Sequence, residues 1–166
     1  MKNSLSLILI CLLLLISISY AGTQKHQKLM IKDAWSRTSP GTTGVVYLII
    51  FNHSADLERL VSVTTNVAKR AEFHTHLLNN GIMKMRRLSD IEVNSMERVV
   101  LEPGGKHIML FGLKSVLKVG QEFILTLFFE RLGRVDVKVK VRKIGAMDFN
   151  DGGKILEKNT DHTHSK

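Results

Sequence analysis

Apolar and polar positions alternate along most of this chain with a period of two. The cleanest stretch runs from Val135 to Arg142, where valines at 135, 137, 139 and 141 are interleaved with Asp136, Lys138, Lys140 and Arg142. Successive side chains of a strand point to opposite faces, so this pattern predicts a strand with one buried and one solvated face. Phe123 to Phe129 is almost continuously apolar and suits a central strand, and the turn around Gly133 joins the two segments into a hairpin. Further strands are expected near residues 29–36, 45–52, 58–64, 70–77, 82–87, 98–102 and 106–111. They are separated by the turn-forming runs Ser39-Pro40-Gly41, Asn52-His53-Ser54, Asn79-Asn80-Gly81 and Pro103-Gly104-Gly105. No long stretch carries a helical period. Many short strands at this spacing predict an all-β chain, a Greek-key sandwich or small barrel.

The ends read differently. Lys2, the apolar run from Leu5 to Ile16 and the small residues before Gly22 form the pattern of a secretory signal peptide, with cleavage expected after Ala21. The apolar run is shorter than the roughly 20 residues that span a bilayer; an uncleaved inner-membrane anchor is the alternative. Residues 1–21 are therefore read as leader, 22–147 as the folded domain and 148–166 as a flexible polar tail. The domain-sized remainder can bury a core of its own. Cys11 is the sole cysteine and lies within the leader, so the exported chain has no disulfide, thiolate ligand or thiol nucleophile. The full chain carries 24 Lys and Arg against 15 Asp and Glu, a net charge of +9, of which only Lys2 belongs to the leader. Such a balance favours an anionic membrane surface or an acidic partner. The basic residues are scattered along strands without a recognition helix or interleaved aromatics, which argues against nucleic acid.

The chemistry concentrates in a few positions. In Glu72-Phe73-His74-Thr75-His76 the two imidazoles share one face of a strand, and in Met83-Lys84-Met85 two thioethers do the same after a turn. Lys106-His107-Ile108-Met109 places one more of each on a third strand. Three adjacent strands could thus present a cluster of nitrogen and sulfur donors. Thioethers are soft and neutral, so the set points to Cu(I) rather than to zinc, calcium or magnesium.

Ten residues separate His74 from Met85, twenty-one separate Met85 from His107, and one separates His107 from Met109. This His-x10-Met-x21-His-x-Met arrangement resembles the signature of the periplasmic copper chaperone family called PCuAC. Asp33-Ala34-Trp35-Ser36-Arg37, Gly81-Ile82-Met83-Lys84-Met85-Arg86 and the run from Leu101 to Leu110 followed by Gly112-Leu113-Lys114 are similar to it as well. The likeness covers roughly residues 32–142. It implies a cupredoxin-like domain with His74, Met85, His107 and Met109 as Cu(I) ligands. It also implies a role in assembling the binuclear CuA centre of cytochrome c oxidase, with an oxidase subunit or a thiol-containing assembly factor as acceptor. His76 and Met83 share faces with these residues and are candidate accessory donors. His162 and His164 in the tail are candidates for Cu(II) or for relaying copper.

The plainer readings are these: methionines as core filler, His53 as a turn residue, His26 in a mobile start, Trp35 as a core or edge aromatic, and Lys84, Arg86, Arg87 and Lys106 as solvated strand faces. A blue-copper electron carrier needs a cysteine thiolate that the exported chain lacks. No nucleophile elbow, HExxH helix or nucleotide-binding glycine loop is present, so an enzyme is not expected. Copper scavenging without a dedicated oxidase acceptor, or a secreted β-sandwich interaction module without metal, are the alternative functions.

Overall fold

A computed structural model describes residues 29–79, 81–143 and 145. The expected leader, the tail with His162 and His164, and His26 lie outside them. Ten strands follow one another: β1 (Leu29–Arg37), β2 (Thr43–Asn52), β3 (Glu58–Thr65), β4 (Ala68–Asn79), β5 (Ile82–Leu88), β6 (Ile91–Val93), β7 (Arg98–Leu101), β8 (His107–Leu113), β9 (Glu122–Phe129) and β10 (Gly133–Arg142). They form one continuous hydrogen-bonded path, β5-β4-β8-β2-β1-β10-β9-β3-β6, with β7 added beside β2. The described residues are all-β, folded into a sandwich, as the alternation predicts.

The core is built from alternate residues of these strands. Val46, Leu48 and Ile50 of β2, Phe73 of β4, Ile108 and Leu110 of β8, and Phe123, Leu125, Leu127 and Phe129 of β9 are buried in one cluster with Val139 and Val141 of β10. Val135 and Val137 pack against its rim. β2 is flanked on both edges, by β1 on one side and by β8 and β7 on the other, and most of its residues are buried on both faces. On its second face Tyr47 meets the fully buried Trp35, with ring centroids 4.6 Å apart. Trp35 is therefore a packing aromatic.

Two features escape the alternation rule. β1 carries a register shift between Lys32 and Trp35, with Asp33 at φ 50, so its inward residues change parity midway. β6, only three residues long, is too short to show a period and exists because tertiary partners hold it. It pairs with β3, and the side chain of Asn52 ties down the chain that follows it. Asn52 is buried; its Nδ2 donates to the carbonyl oxygens of Asp56 (2.8 Å), Val93 (3.0 Å) and Asn94 (3.0 Å), while its Oδ1 accepts from the backbone and hydroxyl of Ser54. Truncating it removes at once the donor these three carbonyls share, the buried one of Val93 included. Asn52→Ala is expected to lower the free energy of unfolding by about 2–4 kcal/mol in urea titrations at unchanged m; a loss below about 1 kcal/mol would show that the network is not what fastens β6.

Candidate metal centre

The donor cluster is a product of strand register. β4 and β5 are joined through Asn80-Gly81, with Asn79 paired to Ile82 and Gly81 at φ +76, a conformation glycine takes without strain. The hairpin aligns His76 with Met85, His74 with Arg87 and Leu78 with Met83. On its other side β4 pairs with β8, setting His74 opposite His107 and Glu72 opposite Met109. Directly opposed residues share a face. The same register sets Phe73 against Ile108 on the core side, which leaves the imidazoles and thioethers together on the other side. β2 extends that face with Val45, paired to Met109, and Tyr47.

The donors gather around a concavity of about 320 Å³ lined by His76, Met85, His107 and Met109 together with Arg37, Thr38, Val45 and Tyr47. The rings of His76 and His107 stack with centroids 4.9 Å apart, and those of His74 and His107 lie 6.0 Å apart. His74 borders the cavity without lining it, while His76, expected only as an accessory donor, lies in its wall. Met83 sits one rung nearer the hairpin tip, beside Leu78, and does not line the cavity. Met85 belongs to the edge strand and is 46% exposed, whereas His107 is buried.

Each imidazole is prepared in its own way. His107 Nδ1 lies 3.0 Å from the carbonyl oxygen of Gly105, an arrangement that places the hydrogen on Nδ1 and leaves Nε2 as the lone-pair donor. Burial holds its pKa below the ordinary value, the Gly105 hydrogen bond opposes this, and the neighbouring His76 and His74 push it further down. His107 is therefore neutral near pH 7, the form a metal requires. His74 Nε2 lies 3.1 Å from Glu72 Oε2, and Nδ1 of both His74 and His76 is buried with no hydrogen-bond partner. Unpartnered buried ring nitrogens are costly unless something else completes them.

Glu72 ties the site to its surroundings. Its carboxylate is held below the usual range, first by the hydrogen bond with His74 and then by Arg87 and Arg70. Arg70 Nε is 2.8 Å away and Arg87 Nε 3.8 Å. An ionised Glu72 keeps the His74 hydrogen on Nε2, the arrangement by which carboxylates orient metal-binding histidines. Glu72 stands two residues before His74 on the same strand, so alternation alone could have identified it; the Gly105 carbonyl and the cavity wall at Arg37 and Tyr47 depend on tertiary packing.

The donor set fits a soft ion of low charge. Among the described residues no group of three or more His, Cys, Asp and Glu side chains is arranged to hold a metal, so the thioethers have to be counted. Arg37 in the wall, with Arg70 and Arg87 beside Glu72, penalises a divalent ion about twice as much as a monovalent one at equal distance. Nitrogen and thioether sulfur donors in that field favour a soft ion of low charge.

Comparison with known proteins agrees with the fold. The copper-bound PCuAC domain from PmoF2 superposes with a TM-score of 0.61 at 25% identity, covering 70% of this chain and 93% of that domain. The solution structure of CuI-DR1885 from Deinococcus radiodurans gives a TM-score of 0.55 at 27% identity, covering 75% of this chain and 84% of that one. In sequence, a candidate lipoprotein of Leifsonia xyli subsp. xyli, Lxx21020, is 27% identical over 124 residues, 74% of this chain and 75% of the relative. The LpqE-like family model matches residues 29–141, the whole span that builds the sandwich and its histidine and methionine cluster. The chain belongs to the LpqE-like family.

Proposed function

We propose that this protein is a periplasmic Cu(I) carrier that hands its ion to an acceptor in the assembly of the CuA centre of cytochrome c oxidase. The observation that carries the reading is the convergence, on one sheet face, of two thioethers, the fixed Nε2 of His107 and two buried imidazole nitrogens without partners. The copper-bound structures among its structural neighbours support it, and the export implied by the name of the Leifsonia relative supports the compartment. The ligands are His74, Met85, His107 and Met109. His74 stands directly opposite His107 and has its tautomer set by Glu72. His76 is the spare donor.

Transfer proceeds by ligand exchange. His107, buried and tied to Gly105, is the fixed point; Met85, on the exposed edge strand, is the donor that leaves first. A ligand from the acceptor enters on the β5 side and shares the ion with His107 and Met109, and His76 fills the vacated position until transfer is complete. Neutral donors release Cu(I) readily to a thiolate, so the direction runs toward a thiol-bearing oxidase subunit or assembly factor.

Three outcomes test this. In a Cu(I) competition titration read with X-ray absorption for sulfur neighbours, Met109→Ala and His107→Ala each weaken affinity by more than the 10–100-fold typical of losing an outer partner, while the fold persists. Unchanged affinity removes the site. His74→Ala weakens binding more than His76→Ala, and Glu72→Gln weakens it by about tenfold; the reverse order of the two histidines transfers the ligand role to His76. The third is a pH effect on the metal-free protein. Above the ordinary value of 6.5 His107 is neutral in both folded and unfolded chains and contributes nothing. Below it the unfolded chain takes up the proton first, so stability falls with pH. The thermal midpoint is expected to drop from pH 7 to pH 5, and to drop less in His107→Gln; parallel curves would mean that the buried ring is not the group responsible.

A further inference from the structure

The tip of the β4–β5 hairpin serves neither the core nor the donor cluster. Leu77 and Leu78 on β4 and Ile82 and Met83 on β5 are between 51% and 70% exposed. They are contiguous, because Leu78 pairs with Met83 and the strands close at Asn79 and Ile82. Leu78 and Met83 share the donor face, while Leu77 and Ile82 lie on the opposite one. Both faces of the ribbon are therefore apolar and open, whereas a surface strand of a sandwich ordinarily has one apolar face, turned to the core. Farther from the tip come Lys84, Arg86 and Arg87, all exposed and the only charged residues between Leu77 and Leu88.

We propose that this tip inserts into the headgroup region of an anionic membrane. A protein surface covers one face of a two-stranded ribbon, but a lipid interface surrounds both. The spacing agrees: at about 3.3 Å per residue, Arg86 lies roughly 13 Å from Ile82, so an apolar tip seated about 5–10 Å deep brings the basic residues level with the lipid phosphates. Cations on β5 also discourage edge-to-edge pairing of this outermost strand, but that role needs no leucines at the tip. Seated in this way, the hairpin holds Met85, the donor on the open edge, next to the membrane surface.

The test uses the chain without its expected leader, residues 22–166, and without copper, so its outcome is independent of the copper reading. Trp35 is the only native indole and is fully buried, so Ile82→Trp adds one exposed reporter, with Leu78→Trp as a second version should the first disturb the hairpin. Vesicles of phosphatidylcholine alone are compared with vesicles containing phosphatidylglycerol, each with and without brominated acyl chains. Expected are a blue shift and bromine quenching on the anionic vesicles only, and roughly thirtyfold weaker partitioning when Lys84→Gln and Arg86→Gln are combined. A reporter that stays in water on both vesicles, or responds equally to both, overturns the proposal. So does burial only on addition of soluble polyglutamate, which assigns the tip to an acidic protein surface.

Discussion

The structure depends on one register, the pairing of β4 with β8. It sets Phe73 against Ile108 on the core side and His74 against His107 on the other. Because side chains alternate strictly, a slip of one residue would drive imidazoles into the apolar core and bring Phe73 and Ile108 to the outer face. The core thus specifies the donor geometry indirectly. Burial of Phe73, Ile108 and Leu110 supplies the free energy that keeps the two strands in phase, and the donors on the outer face are carried into place.

That arrangement explains how a binding cluster persists at a face open to solvent. The histidines need not find one another by their own interactions, which are unfavourable once two rings compete for protons. They are placed by the sheet and then tuned by neighbours of ordinary kinds: a backbone carbonyl at Gly105 and a carboxylate at Glu72. The His74 hydrogen bond, and after it Arg87 and Arg70, keep Glu72 ionised. The cluster therefore sets a neutral His107 among arginines at its margin, a field that tolerates one positive charge better than two.

Rigidity is graded across the site. His107 is buried and anchored, and Met109 is half-buried beside β2, whereas Met85 lies on a strand with one unpaired edge and six exposed residues in seven. In the proposed carrier role an ion has to be held and also given up. Placing one donor on the least constrained strand separates those demands, since loss of that donor leaves the rest of the sheet undisturbed. The same outermost position leaves the apolar hairpin tip free of the core.

Much of this was legible in the residues. Alternation located nine of the ten described strands, the Asn-Gly turn brought the methionines back beside the histidines, and the softness of the donors pointed to a soft metal ion. A period of two is a local property, dictated by backbone geometry, and needs no knowledge of partners. What the residues could not decide was which of His74 and His76 faces the cavity, since both lie on the same side of the same strand and only the offset of β8 against β4 distinguishes them. Nor could they show the three-residue β6 held by Asn52, or the exposure of both hairpin faces. Each of these is set by where a distant strand happens to end, and that is decided by packing the core as a whole.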